Sequence, residues 1–165
     1  MMTSTQHIIY LGLGTNLGNR QLNLRTAVTL FSPKVTVIDQ SPIYQTPPWG
    51  YTEQADFLNQ VIKAETKLRP TALLRYLKRI EKRVGRTATF RWGPREIDID
   101  ILFYADRVIN TRKLTIPHPR LHQRAFMLVP LADLAPDLAH PLTGQTIQQH
   151  LAEVDCTEIE NFNPD

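Results

Sequence analysis

The run from Ile97 to Phe103 reads IDIDILF, and its alternation restricts the fold more than any other part of the chain. On a strand, successive side chains point to opposite faces, so Ile97, Ile99 and Ile101 share one face. Asp98 and Asp100 share the other, with Cα atoms roughly 7 Å apart. A solvated sheet face tolerates such acids without using them. Two hard oxygen ligands on a rigid strand also suit Mg²⁺, which keeps several waters and takes one or two carboxylates plus substrate phosphates. The preceding residues favour the second reading. Arg91 and Arg95 bracket a Trp-Gly-Pro turn just before the acids, placing cations beside the metal ligands as transfer from a triphosphate requires.

The remaining elements follow from periodicity. His7 to Leu13 (HIIYLGL) is a short apolar, β-branched run ending in glycines, which predicts a buried strand. Leu24, Ala27, Val28 and Phe31 form one helix face that Ser32-Pro33 terminates. Residues 35–39 (VTVID) predict a strand, and 41–51 (SPIYQTPPWGY) a loop too punctuated by Pro and Gly to be either element. Residues 56–66 predict a strand with Phe57, Asn59, Val61 and Lys63 on one face. Pro70 opens a helix with apolar face Leu73, Leu77, Ile80 and Val84, closed by Gly85. Residues 97–104 form the acid-bearing strand, 107–110 its expected hairpin partner across Ala105-Asp106, and 124–131 the start of a last helix. Short connections between neighbouring strands predict a mostly antiparallel sheet with two amphipathic helices on one face, an α+β sandwich of ferredoxin-like kind.

Composition narrows the class. The 165 residues suit one domain, residues 1–165, with 152–165 as an acidic tail: it carries five acids and no Lys or Arg. The N-terminus lacks an apolar signal-type run, and no stretch of about 18 apolar residues occurs, so neither export nor a membrane partner is expected. The single cysteine, Cys156, suits a reducing compartment, which makes the cytoplasm the expected location. Positions 67–95 hold ten of the 19 Lys and Arg against one acid, Glu81, which points to an anionic partner. The basic helix face at 75–82, with Tyr76 as its one aromatic, is read as solvated surface, so no nucleic-acid groove is expected.

In PHPRLHQR, residues 117–124, His118 stands between two prolines and Arg124 begins a helix; both could donate to phosphate. The glycines of GLGTNLG, Gly12 to Gly18, match neither the dinucleotide fingerprint nor a phosphate loop, and are read as ending a strand and permitting a turn. Trp49, Phe57, Trp92 and Phe126 could be core, or could stack around a flat heterocycle whose edge Asn59 would bind.

Together GTNLGNR, YQTPPWG, FLNQV, RWGPREIDIDIL and IPHPRLHQRAFMLVPL resemble the 6-hydroxymethyl-7,8-dihydropterin pyrophosphokinase family over about His7 to His150. The resemblance implies transfer of the β,γ-pyrophosphoryl of ATP to the pterin hydroxymethyl, releasing AMP, an early step of folate synthesis. It implies two Mg²⁺ on Asp98 and Asp100, and phosphate or nucleotide contacts from Arg86, Arg95, Ile101, His118 and Arg124. Arg91 belongs to the same mobile basic loop. Pterin recognition falls on Thr46, Pro47, Trp49 and Asn59, with Phe57 and Phe126 sandwiching the ring and Trp92 closing over it. A monomer is expected. Two features depart from the family pattern: the loop from Arg86 to Arg91 is shortened, with Thr87, Ala88 and Thr89 where another Arg often stands, and Phe57 replaces a frequent Tyr. Two other classes fit parts of the pattern. An RNA-binding module would use ferredoxin-like sheets and basic loops, but has no use for paired acids. A metal-dependent sugar transferase would use the acid pair, but needs a larger nucleotide-sugar domain.

Overall fold

The computed structural model describes residues 5–163, so the first four residues and the last two of the acidic tail lie outside the described residues. In chain order the elements are β1 (His7–Thr15), α1 (Arg20–Leu30), β2 (Val35–Gln40), β3 (Tyr44–Thr46), β4 (Phe57–Thr66) and α2 (Pro70–Val84). There follow β5 (Asp98–Tyr104), β6 (Ile109–Asn110), β7 (Thr115–Ile116), α3 (Ala125–Leu134), α4 (Ile147–Leu151) and β8 (Glu160–Asn161).

Strands β5, β1, β4 and β2 lie side by side in that order, each neighbouring pair antiparallel. Helix α1 joins β1 to β2, and α2 joins β4 to β5, which gives the expected ferredoxin-like α+β arrangement. Helix α2 begins on Pro70, whose missing N–H costs nothing in a first turn, and ends on Gly85 at φ 122°. No helix among the described residues is long and apolar enough to cross a membrane.

The main core lies between one sheet face and the first two helices. Ile9, Leu11 and Leu13 of β1, Leu58, Ile62 and Ala64 of β4, and Ile99 and Ile101 of β5 meet Leu24, Ala27, Leu73, Leu77 and Ile80. Burying each such branched side chain contributes about 1.5–3 kcal/mol before chain entropy is set against it. A β-bulge then alters the alternation of β5. Tyr10 pairs with Phe103 but Leu11 pairs with Ile101, leaving Leu102 as the extra residue. Leu102 and Phe103 therefore both reach the opposite face, where they pack with Tyr10, Val61, Met127, Leu128, Leu131 and Ile147.

Several expectations change. The 41–51 segment contains β3, which pairs with the first three residues of β4 while β2 pairs with the last five. Ser41 bridges the break: its N–H donates to Val61 O, and its Oγ accepts the Val61 N–H, both at 2.9 Å. Residues 107–110 are not the hairpin partner of β5, because β6 pairs with β7. The free edge of β5 is instead met by the chain after β7, where His118 N–H donates to Leu102 O at 3.1 Å. The two expected helices cover one face, and α3 with α4 covers part of the other. Nor is the acidic tail wholly solvated: β8 pairs with β3, and Phe162 N–H donates to Ile43 O at 2.8 Å. Its apolar Phe162 packs against the core, which outweighs the acidity of its neighbours.

Candidate active site

Where α3 and α4 stop covering the second sheet face, a solvent-open cavity remains. Its walls bring together Thr46, Pro47, Trp49, Phe57, Asn59, Trp92, Arg95, Asp98, Asp100, Arg124 and Phe126. Gly12 and Gly14, the latter next to the last residue of β1, form part of the floor, while Gly18 at φ 77° makes the expected turn. A Cβ on Gly14 would stand 3.1 Å from Asn59 Oδ1, and one on Gly12 3.3 Å from Leu102. The missing side chains therefore hold the cavity open, a role that motif spacing cannot reveal. Asn59, which pairs across from Gly14, is oriented by donating its Nδ2 to Thr46 Oγ1 at 2.6 Å.

Asp98 and Asp100 project from β5 onto this floor. Arg86 Nη1 donates to Asp98 Oδ1 at 2.9 Å, and Arg95 Nη1 lies 3.4 Å from Asp98 Oδ2. Arg86 also pairs with Glu81 at 3.0 Å. Glu81, only 2% exposed, accepts the N–H of Ile99, the residue between the two aspartates, at 2.8 Å. It thereby ties α2 to the acid-bearing strand. Burial raises the Glu81 carboxyl, and the charges of Lys78 and Arg86 draw it back. Sequence reasoning passed over Glu81, although its standing as the lone acid of a basic segment was a usable signal.

Burial, then the charge of Asp98, pushes the Asp100 carboxyl up to about 8, against the pull of Arg124 and Lys78. A divalent cation between the acids would relieve that repulsion, and each carboxylate oxygen keeps a lone pair for it beyond any arginine contact. Among the described residues no group of three or more His, Cys, Asp or Glu side chains converges. The pair therefore matches a metal completed by water and phosphate oxygens, as Mg²⁺ prefers.

His118 and Arg124 stand near the acids. His118 accepts the Arg120 N–H at Nδ1, 3.2 Å away. Burial first, then the charge of Arg124, lowers the imidazole to about 4, so it is neutral at pH 7 with Nε2–H left as a donor. Arg124 lies over Trp49 and Phe126, its Cζ 4.7 and 5.5 Å from their ring centroids. Its Nε is buried with no hydrogen-bond partner among the described residues. An unmet buried donor costs about 1–3 kcal/mol, and a phosphate oxygen would remove that cost. Arg91 rests on the Trp92 ring at 4.4 Å. The Ile101 side chain belongs to the core on the other face, so only its backbone is free to meet a nucleotide.

Two loops, 47–56 after β3 and 85–97 after α2, overhang the cavity. Trp92 has φ 60°, a left-handed conformation that a bulky residue keeps only when its surroundings hold it there. Those surroundings are visible. Its ring lies so close to Gly50 that a Cβ there would come within 2.6 Å, and it meets Trp49 edge to face at 5.1 Å. Gln54 Nε2 donates to Trp92 O at 2.7 Å, while Gln54 Oε1 accepts from Asn16 Nδ2 at 2.8 Å. Asn16 Oδ1 accepts the Arg95 N–H at 2.9 Å. Asn16, 4% exposed at the end of β1, thus holds both loops, and the GTN part of the glycine motif does more than turn the chain.

Residues 10–136 match the family described as 7,8-dihydro-6-hydroxymethylpterin-pyrophosphokinase (HPPK). The chain belongs to the HPPK family. The 2-amino-4-hydroxy-6-hydroxymethyldihydropteridine pyrophosphokinase of Aquifex aeolicus is 42% identical over 145 residues, covering 88% of this chain and 91% of the relative. The enzyme of the same name in Bacillus subtilis is also 42% identical over 145 residues, 87% of each chain. In Schizosaccharomyces pombe the folic acid synthesis protein fol1 is 44% identical over 158 residues, which is 94% of this chain but 22% of that protein. The fold matches the crystal structure of Plasmodium falciparum HPPK-DHPS with a TM-score of 0.75 at 20% identity. This chain is covered to 91% and spans 46% of that longer one. The acids, arginines and aromatics that line the cavity all lie within the matched residues. Glu81, Asn16, Gln54 and the floor glycines enter the site through three-dimensional contacts.

Proposed function

We propose that this chain transfers the β,γ-pyrophosphoryl group of ATP to the hydroxymethyl of 6-hydroxymethyl-7,8-dihydropterin, yielding AMP and the pterin diphosphate, in folate biosynthesis. The observation that carries this reading is a single cavity joining a carboxylate pair flanked by arginines to an aromatic slot with an oriented Asn.

The pterin ring lies between Phe57 and Phe126, bound along its edge by Asn59 and by Thr46, Pro47 and Trp49, with Trp92 closing over it. Stacking uses the ring face, so a Phe at position 57 serves as well as a Tyr. ATP lies on the acid side. Asp98 and Asp100 are the residues that would hold two Mg²⁺ ions, which would supply positive charge against the negative charge that builds up during transfer. Arg86, Arg91 and Arg95 surround the triphosphate, Arg124 offers its unmet Nε–H, and His118 donates from its neutral ring. The backbone of Ile101 is available to the nucleotide base.

In the transfer step, the pterin hydroxyl oxygen attacks the β-phosphorus, the bond from that phosphorus to the oxygen bridging the α-phosphorus breaks, and AMP leaves with those electrons. The hydroxyl proton passes to a phosphate oxygen or water. The residues contribute alignment and fixed positive charge. The two overhanging loops exclude water, which protects ATP from hydrolysis.

The same reading takes the protein as a cytoplasmic monomer without a nucleic-acid partner. Support comes from the paired acids on the open sheet face, which would repel a nucleic-acid backbone, and from one free, half-buried cysteine. Light scattering of the purified chain tests the monomer. Incubation with ATP, Mg²⁺ and the pterin tests the chemistry: AMP should appear in step with pterin diphosphate, whereas ADP as the nucleotide product would overturn pyrophosphoryl transfer.

A further inference from the structure

We infer that Arg120 is a positioning residue that pins the 47–56 loop to the 85–97 loop, so that both close over the acceptor as one lid. The inference rests on the pterin reading only where substrate kinetics enter its test. Arg120 lies in the PHPR segment beyond β7, outside the cavity wall. Its guanidinium carbon is 5.3 Å from the Trp49 ring centroid and 5.1 Å from that of Trp92. Those indoles come from different loops and touch each other edge to face at an interplanar angle of 84°, so one cation contacts both partners of the junction. A guanidinium is drawn to the negative face of an aromatic ring, most strongly to an indole, and its planar, weakly hydrated group can serve two rings where a point-like ammonium favours one.

Three further observations support a pin. No ion pair among the described residues involves Arg120, so the rings are its charge partners. Its backbone N–H donates to His118 Nδ1, which anchors the pin to the segment running along the edge of β5. The loops are already joined at a second point through Gln54 and Trp92 O. Two attachment points stop one loop from swinging independently of the other.

The chain contains two tryptophans, so Trp49→Phe leaves Trp92 as the sole indole fluorophore and Trp92→Phe leaves Trp49. Acrylamide quenching of each, in the free chain, is compared with Arg120 present, with Arg120→Met and with Arg120→Lys. Losing the cation should raise the quenching constant of both indoles about two-fold, and lysine should restore part of the protection. In the otherwise native chain, Arg120→Met should raise the KM for the pterin about ten-fold with kcat within about three-fold, the signature of lost binding that is equal in ground and transition states. Unchanged quenching of both indoles overturns the pin. A rise confined to the KM for ATP also overturns it, and makes Arg120 a phosphate ligand instead. Were the chain inactive on the pterin, the proposed function would fail while the quenching experiment still decided the role of Arg120.

Discussion

Beneath α1 and α2, the central strands present Leu11, Leu13, Leu58, Ile62, Ile99 and Ile101, every one of them buried. On the reverse of the same strands stand Gly12, Gly14, Asn59, Asp98 and Asp100 around a cavity. One face is closed by two long helices along its length. The other is closed by α3 and α4 only as far as Tyr10, Val61, Leu102 and Phe103. The difference lies less in the strands than in how far the covering helices reach. Where apolar cover continues, large side chains interdigitate. Where it stops, the sheet presents small and polar groups, and repulsion within the acid pair is left for a cation to relieve.

If this division holds, changes on the open face cost turnover and changes on the closed face cost stability. Asp98→Ala or Asp100→Ala should lower turnover by about 10³-fold or more at fixed Mg²⁺. The urea midpoint of Asp100→Ala should stay level or rise, because burial beside Asp98 already disfavours that carboxylate. Near-normal rates would remove the metal assignment. Across the sheet, Leu77→Ala should cost about 2–5 kcal/mol of unfolding free energy while leaving both KM values unchanged in the protein that remains folded. A KM shift of comparable size would mean that the two faces are mechanically linked.

Gly14→Ala tests the boundary itself. Its new Cβ would press on Asn59 Oδ1, so the KM for the pterin should rise about ten-fold or more, the usual scale for one added carbon in a fitted pocket, with little change in urea midpoint. The smallest effect concerns pH. His118, His140 and His150 all have imidazoles lowered by burial before any other cause. Each folded pKa lies below its unfolded value near 6.5, so the unfolded chain binds more protons and stability falls as pH drops through 6.5. For His118 the loss levels off only near pH 4. The raised Asp100 carboxyl acts in the opposite sense over the same range, so the histidine contribution is read as a difference: the urea midpoint of His150→Gln relative to the unaltered chain should rise as pH falls from 7.5 to 4.5.

Much of this division was legible in the chain. The IDID alternation specified which residues of β5 face the core, and the i, i+3, i+4, i+7 faces of α1 and α2 specified what covers them. Short or interrupted elements were less so. β3 has three residues between two proline-bearing stretches and exists because Tyr44, Gln45 and Thr46 find β4 as a template. Helix α4 spans five residues; its Thr146–Gln149 capping box was the one local sign of it. The partner of residues 107–110 could not be read from spacing, since the edge of β5 was taken by the chain around His118.

The sequence by itself determined the order of the longer elements, the side of the sheet that is buried, and the residue types able to hold a metal, a triphosphate and a flat ring. Periodicity and side-chain chemistry are local properties and survive in one dimension. The tertiary structure alone decided that Glu81 reaches between the aspartates, that Gly12 and Gly14 are a floor, that Asn16 and Gln54 tie two loops, and that Arg120 stands between two indoles. Each of these depends on a contact between residues distant along the chain, and no pattern within either partner encodes the distance between them.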